Sequence, residues 1–552
     1  MKARYIILTS IVFLTGLCLL LALFHTVDFA RPASFSLTRL FSDDKAGDIT
    51  INARPSPPGL TVVQPNPDNE QPQDKALTDN HDDAQADIGS VILSMPSQQE
   101  TQRLADWLLQ QGITSFRTIP QLNAVVLEDA DNALLRAIAD EFQDARLERD
   151  FTLSRPTTPS PNTVAFGRQF QNSLLDWLGI DSERQGRGKG VTIAVLDEPI
   201  FKTAATANAN LRQLDINGIV SNGQNEGHGN AVTSILAAGS DELKGIVPDA
   251  AILSIPVLNN NGDGTLSALA QAIISATDNG ADIISLSLGS EYPSRALQNA
   301  INYAYEHGAV IVAAAGNDGS DTPFYPAAYN HVIAVAACDA KSNAMAFSNY
   351  GSAIDIAAPG VCIAADFGND TPELFSGTSA AAPCVAGVIA ALLSDNIGKM
   401  TASEAAETIL SSAYDNGAPG NDEQFGHGVL NYARAANHDN PDYTDAAAAG
   451  HFLDLDNASV ADTPLLISAQ NTGNTMLPTL TVEYTVNDTD YERTFENVAP
   501  GETVTATVAV PNTMLDGIMV FSRVLTPEDE ARTDNNTKLS RIIVQTEEQS
   551  DQ

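Results

Sequence analysis

Two short apolar runs, each ending on a polar group, set the architecture of this 552-residue chain. Gly190-Val-Thr-Ile-Ala-Val-Leu-Asp197 is rich in β-branched residues and closes on a carboxylate. Ala309-Val-Ile-Val-Ala-Ala-Ala-Gly316-Asn317 has the same character and closes on an amide. Continuous apolar runs without alternation read as strands buried on both faces, the mark of a parallel sheet covered by helices. In such α/β sheets, functional groups gather at the carboxyl ends of the strands. A third segment, Phe375-Ser-Gly-Thr-Ser379-Ala-Ala-Ala-Pro383, precedes the apolar stretch Val385 to Leu393. Small polar residues, then a proline one turn in, predict a helix start. A hydroxyl there lies near exposed backbone N–H groups, which suits an oxygen nucleophile whose attack creates an oxyanion.

Gly227-His228-Gly229 opens a further apolar helical run and supplies an imidazole. Histidine takes a serine proton at neutral pH, and a buried aspartate fixes its tautomer and stabilises the imidazolium. The chain order is Asp197, His228, Ser379, the subtilisin order rather than that of chymotrypsin or the α/β-hydrolases. On these motifs, residues from about 170 to 437 resemble a subtilisin-type (subtilase) serine peptidase. The resemblance implies a triad of Asp197, His228 and Ser379, with Asn317 as the oxyanion-hole side chain. It implies that Ser287, Leu288 and Gly289 pair with extended substrate and border the S1 pocket. Ala314, Ala315 and Gly316 would form the opposite wall. Ala346-Phe-Ser-Asn-Tyr-Gly351, Ala358-Pro-Gly360 and Phe425-Gly-His-Gly-Val-Leu-Asn431 are further family-like pieces.

Asp197 is followed by Glu198-Pro199, where the family usually carries a small hydroxylic residue and glycine. A carboxylate there is expected to raise the histidine pKa and move the pH optimum upward. A related family uses Glu, Asp and Ser without histidine; His228 and Asn317 argue against it. The resemblance implies no cofactor for catalysis. Structural calcium is common among relatives, but Ala238–Gly245 is shorter than their binding loop. Asn259–Gly264 reads as an Asn/Gly/Asp turn, so no metal site is assigned.

Lys2 and Arg4 precede an uncharged, mostly apolar run from Tyr5 to Phe24. Residues 1–30 therefore read as a signal peptide or membrane anchor, with the rest of the chain exported to the cell envelope or beyond. Residues 31–86, rich in Pro, Asn, Asp and Gln, read as a disordered linker. From 87 to 155 the pattern is strand, helix, two strands, helix, strand, which is ferredoxin-like. Beside a subtilase domain (165–438) it resembles the family's inhibitory propeptide, with autocleavage expected within Ser154–Gln169. Short strands at 450–546 predict an all-β sandwich, and their punctuation by Asn471-Thr-Gly473 and Ala499-Pro-Gly501 resembles that of the immunoglobulin-like modules appended to bacterial exported enzymes.

A formal net charge of −40 argues against nucleic acid as a partner, since phosphates would be repelled. The expected partners are protein and peptide substrates, the chain's own propeptide, and a membrane through the N-terminal segment. The alternative reading is a catalytically impaired homologue that acts as a surface binding or scaffold protein through its sandwich. Of four cysteines, Cys384 reads as a small buried apolar residue. Cys338 and Cys362 are a pair that an oxidising compartment would allow to join.

Overall fold

Seven strands join into one sheet in the order Ile356–Pro359, Val332–Cys338, Val310–Ala314, Ile283–Leu286, Thr192–Asp197, Ala251–Pro256, Asn210–Gln213. Every pairing between them is parallel. This is a computed structural model, which describes residues 47–53, 89–159 and, with short breaks, 170–546. Alternate residues of the central strands serve two separate cores. Ile193, Val195, Val312 and Val335 pack with the helices His228–Ala237 and Thr378–Asp395. Ala194, Leu196, Ile311 and Ala313 pack with the helices Leu266–Asp278 and Arg295–Glu306. Burial on both faces explains why these strands read as unbroken apolar runs. The fold class expected from sequence is the one observed.

The first strand of this sheet, Thr192–Asp197, lies inside it. The chain visits one side through Asn210–Gln213 and Ala251–Pro256, then crosses to the other through Ile283–Leu286. That reversal opens a crevice at the carboxyl ends of Thr192–Asp197 and Ile283–Leu286. Thr378–Asp395 is, among the described residues, the one helix long and apolar enough to cross a membrane. It is buried against the sheet, as a core helix is.

The N-terminal α+β unit has an antiparallel sheet in the order Phe116–Ile119, Ala124–Leu127, Val91–Ser94, Arg146–Arg149, with helices Gln98–Gln110 and Asn132–Glu141. The first strand lies between the third and fourth, the ferredoxin-like order. One sheet face packs Val91 and Leu93 on the unit's own helices through Leu104, Leu108 and Ile138. The other buries Ile92, Ile119, Ala124 and Val126 in the core of the large domain. The last strand, expected as one piece, is two, of which Arg146–Arg149 stays in the sheet. Thr152–Ser154 leaves the sheet and pairs antiparallel with Asp263–Thr265.

In the C-terminal region a three-stranded antiparallel sheet, Ala446–Leu453, Asp462–Asn471 and Thr503–Pro511, faces a second sheet. The second sheet contains Leu477–Val486, Thr489–Val498, Asp516–Leu525 and Thr537–Thr546. Leu465, Ile467, Leu480, Val482, Ile518, Val520 and Ile542 share the core between them. Gly47–Ala53, within the stretch read as a linker, adds in parallel to Thr537–Thr546. The apolar run Tyr5–Phe24 lies outside the described residues.

Candidate active site

The crevice gathers its polar groups from strand ends and helix starts. Asp197 is the last residue of its strand and is buried. His228 is the first residue of its helix, preceded by Gly227 at φ 76°. A Cβ on Gly227 would lie 1.7 Å from the carbonyl oxygen of Phe367, so only glycine admits this entry to the helix. His228 Nδ1 lies 2.9 and 3.0 Å from the two Asp197 carboxylate oxygens. A carboxylate only accepts, so Nδ1 carries the proton and Nε2 is left with its lone pair. Phe375 stands edge-on to the imidazole, with ring centroids 5.3 Å apart.

Ser379 is the second residue of the helix Thr378–Asp395. Its carbonyl accepts a 2.9 Å hydrogen bond from Ser287 Oγ, which ties the helix start to the residue after the strand Ile283–Leu286. Its own Oγ is buried and has no hydrogen-bond partner among the described residues. Asn317 follows the strand Val310–Ala314, and its Oδ1 accepts from both the backbone N–H and the hydroxyl of Thr378, each at 2.9 Å. A backbone N–H can only donate, so the amide orientation is fixed and Nδ2 points into the crevice. There Nδ2 donates 2.8 Å to the carbonyl of Thr157.

Thr157 belongs to the segment that leads out of the N-terminal unit, and this segment fills the crevice as a peptide would. Ser154 exchanges both backbone hydrogen bonds with Gly289, at 3.1 and 2.8 Å. On its other side the segment pairs with Asp263–Thr265. Leu153 is fully buried in the large domain's core. Of the residues expected to line the substrate path, Gly289 meets the segment directly. Leu288, Ala314 and Ala315 are buried in the large domain. Gly316 donates 3.2 Å to Thr378 Oγ1. The side chain of Ser287 is turned to Ser379 rather than to the peptide. Of the stretch Asn259–Gly264, the first four residues are a turn, closed by Asn259 Oδ1 on the N–H groups of Asn261 and Asp263, and the last two begin the strand Asp263–Thr265.

Two carboxylates outside the sequence motifs hold the segment in place. Glu148 accepts from Ser294 Oγ and from the N–H groups of Arg295 and Ala296, at 3.0, 2.9 and 3.0 Å. Asp150 accepts from the N–H and the hydroxyl of Ser267, at 2.9 and 2.5 Å. Each caps the start of one of the helices Arg295–Glu306 and Leu266–Asp278, where helix dipoles favour negative charge. Asp150 lies between the strands Arg146–Arg149 and Thr152–Ser154, and its carboxylate also accepts from Ser90 Oγ at 3.1 Å. No local pattern in the sequence announces these contacts.

Glu198 lies beside the pair. Burial and the neighbouring Asp197 push its carboxyl up, against the pull of His228 and Arg155. Burial opposes charge on His228, but the Asp197 carboxylate, its hydrogen bond and Glu198 outweigh it, and the imidazole is pushed up. Among the described residues no group of three or more His, Cys, Asp or Glu is placed to hold a metal. Cys338, Cys362 and Cys384 are buried free thiols.

A carboxylate-bound imidazole, a helix-borne serine and an oriented amide around a seated peptide are parts suited to acyl transfer at serine. The chain belongs to the subtilase family: the family model matches residues 188–428. It is 33% identical over 337 residues to the thermophilic serine proteinase of Bacillus sp. (strain AK1), covering 58% of this chain and 81% of that protein. Thermitase of Thermoactinomyces vulgaris is 42% identical over 214 residues, covering 38% of this chain and 76% of thermitase. The epidermin leader peptide processing serine protease of Staphylococcus aureus shares the fold, with a TM-score of 0.52 at 21% identity, over 64% of this chain and 98% of that one. The protein is a serine-type endopeptidase that acts on peptides, and catalysis in this family needs no cofactor.

Proposed function

We propose that this endopeptidase is exported as a zymogen and cuts itself between Thr157 and Thr158, through an acyl-enzyme on Ser379. The observation that carries this reading is the 2.8 Å hydrogen bond from Asn317 Nδ2 to the Thr157 carbonyl. It puts that carbonyl at an oriented donor, beside the helix that bears Ser379. In the reaction, Ser379 Oγ attacks the Thr157 carbonyl carbon while His228 Nε2 takes the hydroxyl proton. Asp197 holds the imidazole in the correct tautomer and stabilises the imidazolium. Asn317 Nδ2 and the Ser379 backbone N–H receive the oxyanion. His228 then protonates the departing Thr158 amine. Water, activated by the same imidazole, releases the acyl group.

Before cleavage the N-terminal unit acts as an intramolecular inhibitor, since its exit segment covers Ser379. The basic end and apolar run at residues 2–24 support export, with or without a retained membrane anchor. The sandwich spaces or stabilises the enzyme and is available for binding. The alternative, an impaired homologue, is tested by covalent labelling with a fluorophosphonate. The matured protein is expected to be labelled on Ser379, and a folded protein that never takes the label would overturn the peptidase assignment of these residues.

A further inference from the structure

Glu198 is a buried carboxylate that the hydrolytic steps do not use. Its side chain is 0% exposed. Oε2 accepts from the backbone N–H of His228 at 3.2 Å, and Oε1 meets the guanidinium of Arg155 at 3.2 Å. Arg155 comes from the peptide in the crevice, two residues before Thr157, and its backbone N–H donates to the Gly262 carbonyl. Its side chain lies flat on that glycine: a Cβ at Gly262 would stand 3.1 Å from Arg155 Nε and 3.4 Å from Cδ and Cγ. A carboxylate on one side and a bare backbone turn on the other thus make a slot shaped for a long cationic side chain.

A carboxylate buried beside a second carboxylate is costly to keep ionised without a cation nearby. Here one such cation is supplied by the occupant of the crevice. When the segment leaves, the next peptide that brings a positive charge to this position restores the pairing. We propose that Glu198 and Gly262 form a subsite that selects an arginine or lysine two residues before the residue that donates the acyl group. The inference rests on the peptidase reading and names a substrate class for it.

The test is a set of peptides built on Leu-Ser-Arg-Pro-Thr-Thr-Pro, with Arg, Lys, Gln or Glu at the third position, offered to the matured full-length product. A charge-assisted pair predicts kcat/KM for Arg roughly 10–100-fold above Gln, with Glu lower still. In Glu198→Gln the Arg-to-Gln ratio is expected to fall below about threefold, and Glu198→Ser gives the same readout should the first variant misfold. Equal cleavage of the Arg, Gln and Glu peptides by wild type, or an undiminished ratio in a folded Glu198 variant, overturns the subsite. A protein that takes the fluorophosphonate label yet shows no preference overturns the subsite alone. One that neither labels nor cuts any peptide overturns the peptidase reading, and the subsite with it.

Discussion

The side-chain amide of Asn317 and the carbonyl of Thr157 meet at 2.8 Å across the boundary between two domains. Thr378 holds the other end of that amide with two donors, so Asn317 is aimed before any substrate arrives. A preoriented donor acts mainly on the transition state. Asn317→Ala is therefore expected to lower kcat by about 10²–10³, the size known for the like donor in a subtilisin, with KM changed much less. Steady-state kinetics on a peptide substrate measures both constants. A loss confined to KM would mean that Asn317 only binds.

The pH profile tests the neighbourhood of His228. Asp197 and Glu198 raise the imidazole pKa against the opposing effect of burial. The base must be neutral to act, so a raised pKa moves the acid limb of the kcat/KM profile to higher pH. Glu198→Gln removes one of the raising charges, and the limb is expected to move to lower pH. A limb that stays in place, or moves upward, would show that Glu198 does not act on His228 electrostatically.

Glu148 and Asp150 anchor the exit segment to two helix starts. Hydrogen bonds to charged groups contribute about 1.5–3 kcal/mol each. In the full chain carrying Ser379→Ala, adding Glu148→Gln and Asp150→Asn is expected to raise segment opening at least about tenfold. Hydrogen–deuterium exchange of the amides in Thr152–Ser154 and Gly289 reads this directly. Unchanged protection would locate the N-terminal unit's grip in the apolar contacts of Ile92, Ile119 and Val126 instead.

The sandwich buries His451 between the hydroxyls of Ser540 and Ser522, at 2.9 and 2.8 Å. Burial, then the positive Lys538, hold its pKa well below the ordinary 6.5. The folded protein thus keeps this histidine neutral where the unfolded chain protonates it. Stability from this site is present above about pH 6.5 and is lost as pH falls below it. Thermal unfolding of the sandwich at pH 8 and pH 5 should show a larger drop for wild type than for His451→Gln. Equal drops would remove His451 from the account.

Much of the fold was legible because buried parallel strands and helix starts leave local marks. Thr192–Asp197 and Val310–Ala314 stand out as β-branched apolar runs, and Thr378–Asp395 as small residues, a proline and a long apolar stretch. The strands Ala446–Leu453 and Thr489–Val498 were not legible. The first is alanine-rich, with little β preference, and the second is exposed along most of its length and carries charges instead of alternation. At the site, residues at strand ends and helix starts can be picked out in a sequence, whereas their partners across the crevice cannot. Thr157 on Asn317, Arg155 on Glu198 and Glu148 on Ser294 join residues 160, 43 and 146 positions apart. Only the tertiary structure sets those registers.

The most direct test of the central claim is mass spectrometry of the exported wild-type protein beside its Ser379→Ala variant. Wild type is expected to yield a mature chain that begins at Thr158, while the variant keeps its N-terminal unit attached. Processing of both at the same bond would assign the cut to another protease. A wild-type chain that stays joined through Thr157–Thr158 would contradict the account.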